Sequence, residues 1–236
     1  MSDFDRNVAA FPGAARTVAA DAGLRAHMIR VYNYMAAGVA LTGFVAYFTN
    51  AYFGQALYGS PMMYVLIFAP LALVFFLSWR IESLSASTAR LLFFIYAALL
   101  GASLSIIFAV YTDASITRVF FISAAAFGGL SLWGYTTQRD LTGMGSFLMM
   151  GLIGIIIASL VNIFLKSSGL DWIISIVGVI VFAGLTAWDT QKIKEMYSPY
   201  DDGTVGGRKA VMGALSLYLD FINLFLMMLR LFGDRR

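Results

Sequence analysis

GLTAWDTQKIKEMYSPYDDGTVGGRKAVMGALSLYLDFINLFLMMLRLFG, residues 184–233, is the stretch around which the rest of this chain must fold. Two apolar runs, 172–188 and 210–229, meet across a polar connector, and an aspartate falls at the end of the first and inside the second: Asp189 and Asp220. A carboxylate at membrane depth costs roughly 2.5–3.5 kcal/mol on insertion scales, so an acid kept there points to function. The connector's centre, SPYDDGTVGG (198–207), is where the chain is expected to turn back. Asp189 lies nine residues before Ser198 and Asp220 thirteen after Gly207. At 1.5 Å rise per helical residue those depths differ by only about 6 Å. The two acids are expected to face each other across neighbouring helices.

Composition supplies the solvent for that hairpin. Of 236 residues, 60% are hydrophobic and 12% charged, against about 25% charged in soluble domains. A membrane span needs about 20 mostly apolar residues. Seven runs qualify: 31–53, 62–79, 91–111, 119–137, 144–165, 172–190 and 210–232. The chain therefore reads as an all-α polytopic membrane protein, with a polar segment (1–30) leading into a seven-helix domain (31–236). The net charge of +3 comes from lysines and arginines flanking spans, which argues against a nucleic-acid partner. There is no cysteine and one histidine, His27, so neither a thiolate site nor a multi-histidine metal site can be built. His27 reads as a solvated side chain beside the membrane surface. No cofactor is expected.

The first apolar run begins about 30 residues in and is too long for a signal-peptide core, so no cleaved leader is expected. Pro12-Gly13 should break any early helix, and an interfacial helix from Arg16 should feed the first span. With the N-terminus inside, eleven lysines and arginines fall on inner segments and five on outer ones, an asymmetry that favours a cytoplasmic N-terminus. The tail opposes this: Arg230, Arg235 and Arg236 would prefer the inside, yet seven full spans put them outside. Gly101, Gly128, Gly129, Gly151 and Gly154, with Ser103 and Ser105, read as close-packing surfaces between helices. Pro70 should kink the second span. No internal repeat supports an inverted-repeat transporter.

On the last span Ser216, Asp220 and Asn223 sit at i−4, i and i+3 and form one polar stripe on an apolar helix. Such a stripe must face protein or water, which puts the last helix at the centre. On the sixth span Thr186 lies one turn before Asp189, while Lys192 and Lys194 follow and could simply neutralise it. Two carboxylates in a low-dielectric site do not both ionise easily and share a proton. Such a pair can act as pH sensor, transient cation ligand or catalytic dyad. Arg80, at the inner end of the second span, is at a depth from which it could reach Asp189.

GLTAWDTQKI (184–193) closely resembles the signature of the Bax inhibitor-1 family, and LYLDFINLFLMMLRLFG (217–233) resembles that family's last helix. The resemblance covers nearly the whole chain and least of all the first 30 residues. It implies a seven-helix fold around the last helix and a pH-sensitive calcium leak gated through an aspartate pair, here Asp189 and Asp220. It also implies an arginine touching that pair, for which Arg80 is the best match, although SWRIES is not a distinctive motif. Bacterial relatives are linked to modulation of membrane-bound proteolysis.

The leading expectation is a passive, proton-regulated leak for calcium or another cation in a bacterial inner membrane. Calcium prefers six to eight oxygen ligands, so two acids and a few hydroxyls and amides suit passage better than tight holding. The alternative is a membrane-embedded regulator that binds a membrane protease or stress machinery through its loops and N-terminal segment. An intramembrane aspartyl protease would carry Gly-x-Gly-Asp and Tyr-Asp, whereas these acids stand in Thr-Ala-Trp-Asp and Tyr-Leu-Asp. The last apolar run has no lysine for a retinal Schiff base. No enzymatic activity is expected.

Overall fold

The computed structural model describes residues 12–236, with side chains from residue 22 onward. The chain forms α1 (Pro12–Leu57), α2 (Pro61–Arg80), α3 (Ala86–Leu104), the short α4 (Ile107–Val110), α5 (Asp113–Thr136), α6 (Thr142–Leu165), α7 (Ser168–Glu195) and α8 (Gly203–Phe232). Seven of these helices are long and apolar enough to cross a membrane, the first over Ala22–Leu57. In lipid every backbone group must be satisfied within the segment, which only helices and closed barrels achieve.

The helix starts follow from short polar caps. Ser85, Thr112 and Ser167 accept hydrogen bonds from the backbone N–H groups of Thr88, Ser115 and Leu170. Asp202 accepts from both Thr204 and Val205. That last cap corrects the expected turn: the hairpin connector ends at Asp202, and Gly203–Gly207 is already helix. Gly207 is there because α8 passes close to α3, so that a Cβ would sit 2.6 Å from that of Ala86. Pro12 does not precede a break; it starts α1, which runs unbroken through residue 30 into the first span. The earliest residues, Arg6 among them, lie outside the described residues.

Helix α8 occupies the centre. It packs against α1, α3, α5 and α7, while α6 leans on α7 and α2 on α3. The most apolar stretch of α8 is 72% buried, that of α7 44%, and those of α2 and α6 only 17% and 11%. The peripheral helices turn large apolar side chains outward, including Phe75, Phe147, Ile163 and Phe164. That is the surface a bilayer requires.

The glycine reading divides. Gly101 does bring two helices together, since a Cβ there would meet the Thr42 backbone oxygen at 2.6 Å. Gly128, Gly129 and Gly154 face open space and pack against nothing. The closest approaches lie elsewhere: Gly134 of α5 rests on the Ala187 carbonyl, and Gly145 of α6 lies under the Trp188 indole. Both bear on α7, one from α5 and one from α6. Pro70 is buried within α2, which continues from Pro61 to Arg80.

Loops 81–85, 137–141 and 196–202 gather at the end of the bundle where the chain enters the first span; we call this the N-face. His27 is there, and it is not solvated as expected. It is 6% exposed, with its ring 5.7 Å from that of Tyr197 in the α7–α8 connector. The C-terminus lies at the opposite end, the C-face, where the Thr112 N–H donates to the Asp234 carbonyl and the Arg236 N–H to that of Val110. The tail's arginines find partners on that face: Arg236 with Asp113 at 2.8 Å, Arg230 with Asp171 at 3.5 Å, and Arg235 over the Tyr111 ring. Acids on the same face thus offset the charge that the topology rule would place inside.

Candidate functional site

Sequence near the end of α7 fixes that helix to its neighbours residue by residue. Thr190 hydrogen-bonds Ser131 at 2.9 Å, and Ser131 in turn meets the Tyr32 hydroxyl at 2.7 Å, which links α7, α5 and α1. Gln191 is 6% exposed; its Oε1 accepts from the Leu141 N–H and its Nε2 donates to the Arg139 carbonyl, both at 2.8 Å. Lys194 donates to the Tyr135 carbonyl at 3.0 Å. The motif T-Q-K-I-K therefore bolts α7 to the loop between α5 and α6, with Asp189 immediately before it. On the opposite side of α8 the Tyr218 hydroxyl meets Thr42 Oγ1 at 2.6 Å, with Phe93 and Tyr96 edge-on to its ring.

Between these anchors the two acids converge. Asp189 and Asp220 lie within side-chain hydrogen-bonding reach of one another. Asp220 is 5% exposed, and its Oδ2 is sealed from solvent with no hydrogen-bond donor among the described residues. Two carboxyls can bond each other only if one carries a proton. A sealed acceptor with no other donor is costly unless that proton is present. Lys192 is a cation whose charge acts on Asp189, and its Nζ lies over the Trp188 ring at 4.9 Å.

Both acids border a groove of about 640 Å³ between α6, α7 and α8. Ser216 and Asn223 line it with them. They belong to the least covered stripe of α8 (Met212, Ser216, Leu219, Asn223, Leu226), whose members are all half-buried while Asp220 beside them is buried. The stripe thus faces a cleft walled by two other helices. Asn223 spends its amide on the Leu219 carbonyl at 2.8 Å, one turn back, and offers Asp220 no donor. Thr186, expected to support the pair, is fully buried and likewise donates to its own helix, to the Phe182 carbonyl at 2.8 Å.

Arg80 is not part of this cluster. Helix α2 packs on α3, and Arg80 is exposed at its end. Depth and the family resemblance suggested the contact; the position of α2 around the bundle removes it. Lys192 was expected only as a neutraliser of Asp189, and Gln191 and the Thr42–Tyr218 pair had no distinguishing signal, because polar residues in a span announce that they have partners without saying on which helix. Among the described residues no three His, Cys, Asp or Glu side chains come together as a metal site. Asp189 and Asp220, expected as transient ligands, border one groove together with Ser216 and Asn223.

The family model described as inhibitor of apoptosis-promoting Bax1 matches residues 24–236. The chain belongs to the Bax inhibitor family. Among its relatives, the inner membrane protein YbhL of Escherichia coli K12 is 51% identical over 231 residues, covering 96% of this chain and 99% of that one. A Rickettsia prowazekii protein is 49% identical over 218 residues, 92% of each chain. A membrane protein of Streptococcus pyogenes is 39% identical over 218 residues, with 90% of this chain and 94% of that one covered. With seven apolar helices, these likenesses make the chain a multi-pass protein of a bacterial inner membrane.

Proposed function

We propose that this protein is a proton-regulated cation leak, with calcium as the permeant ion and control in Asp189 and Asp220. One observation carries the reading: a sealed carboxylate oxygen of Asp220, without a donor of its own, lies against a second carboxyl on the adjoining helix. A proton shared by the pair holds α7 and α8 together. Two carboxylates about 4 Å apart repel by about 4 kcal/mol at an effective dielectric constant of 20. Loss of the proton therefore favours either separation of the helices or entry of a cation between them. Two carboxylates with Ser216 and Asn223 nearby offer at most the lower end of the six to eight oxygens calcium prefers, which suits passage through the site.

The test is calcium efflux from loaded liposomes between about pH 5 and 8. Asp189→Asn and Asp220→Asn each supply a permanent donor in place of the exchangeable proton. Both variants are expected to flatten the pH response of the wild type while the protein stays folded. A full pH response in both would remove the pair from control and direct attention to buried His27.

A further inference from the structure

The groove beside the acids opens sideways along the bundle. Its α6 wall runs from Met149 to Ile163, about 20 Å at helical rise. Ile156, Leu160 and Ile163 on that wall are 52%, 56% and 64% exposed. In a bilayer such a trench is filled by lipid, because an unfilled one forfeits the contacts of its lining atoms. Its charged groups are confined to one region, with Ser159 the polar group nearer the other end of the α6 wall. Lys192 lies three residues before the end of α7 at Glu195, and Asp189 lies six before it, about 4–5 Å and 9 Å below the helix end. A cation thus stands at headgroup depth, and two carboxyls stand one turn deeper. The second of these is Asp220, which also lines the groove and whose buried Oδ2 has no donor among the described residues.

We propose that this groove is a binding site for an aminophospholipid of the N-face leaflet. The phosphate sits at Lys192, the primary ammonium turns inward to the carboxyl pair, and one acyl chain lies along Leu152, Ile156 and Leu160. The charges of the groove complement a zwitterion carrying a phosphate and an N–H donor a few ångströms apart. A primary ammonium has three N–H donors, like that of lysine, and charge-assisted bonds to carboxylate are about twice as strong as neutral ones. A choline headgroup bears the same charge but has no N–H to give Asp220. An anionic headgroup lacks the cation and meets two acids. The site does not require that ions pass, and its occupancy is measured without any flux.

Trp188 borders the groove, which provides a reporter. Trp79, Trp133 and Trp172 are exposed, so changing them to Phe leaves Trp188 as the sole tryptophan. This full-length protein is placed in phosphatidylcholine nanodiscs doped with phosphatidylethanolamine brominated on its acyl chains, or with phosphatidylcholine brominated alike. The ethanolamine lipid is expected to quench Trp188 at a several-fold lower mole fraction. The preference should disappear in Lys192→Gln and in the double variant Asp189→Asn/Asp220→Asn. Equal quenching by the two lipids in the unsubstituted site overturns the proposal, and needs no substitution among the groups that would hold the headgroup. A preference that survives both sets of substitutions overturns it equally, since the headgroup would then be read elsewhere.

Discussion

Replacing Gln191 by Met tests whether the signature motif holds α7 in place or contacts the permeant ion. The change nearly conserves volume and removes both polar ends of a side chain that is 6% exposed. Two hydrogen bonds of 2.8 Å are lost, one from the Leu141 N–H and one to the Arg139 carbonyl. A buried hydrogen bond contributes about 1 kcal/mol net, and a donor left unsatisfied costs about 1–3 kcal/mol, so the total is about 2–4 kcal/mol. For a protein of roughly 150–250 residues each kcal/mol moves the melting temperature by about 2–4 °C, which gives a drop of about 5–15 °C. Thermal unfolding in detergent, followed by tryptophan emission, measures it. Gln191→Glu retains the acceptor for Leu141 and regains a donor only when protonated, so its deficit should shrink on acidification. Flux through Gln191→Met, measured below its melting range, should keep the wild-type pH response. A melting temperature within about 1 °C of wild type would refute the clamp.

Further outcomes follow from neighbouring contacts. Thr42→Val strands the buried Tyr218 hydroxyl and should cost about 1–3 kcal/mol, whereas adding Tyr218→Phe should recover part of it; additive effects in the four-protein cycle would deny the coupling. Gly134→Leu drives a side chain into the Ala187 backbone and should destabilise by about 1–3 kcal/mol or more, while Gly128→Leu, facing open space, should be close to neutral; chemical denaturation compares them. On the exposed N-face, the Thr142 hydroxyl and N–H hold the Asp140 carboxyl below the usual carboxylate range. A lowered carboxyl stabilises the fold above its unfolded value near pH 4, and that contribution disappears as pH falls through the folded value. A carbon-detected NMR titration should place Asp140 below an ordinary aspartate, and Thr142→Val should move it upward.

How much of this was legible in the chain follows from what a helix makes one-dimensional. Depth is set by residue count at a fixed rise, so the seven spans could be read by counting. The level of Asp220 could not, because α8 begins at Gly203, seventeen residues before it, while α7 ends six residues after Asp189. The cost of burying polar groups in lipid also required a stripe such as Ser216, Asp220 and Asn223 to turn away from the bilayer, and hence an enclosed last helix. What counting cannot supply is the position of each helix around the bundle, because that depends on which side chains interlock. Arg80 has the depth to meet Asp189 but sits on α2, which packs behind α3. Gly128 and Gly129 look like a packing face, yet it is Gly134, a turn and a half along α5, that receives α7. Thr186 and Asn223 are polar and near the acids, but each is satisfied by its own helix one turn back. Only the assembled bundle decides that Asp220 is left with a carboxyl for its neighbour, because a side chain's partner is fixed by the azimuths of two helices together.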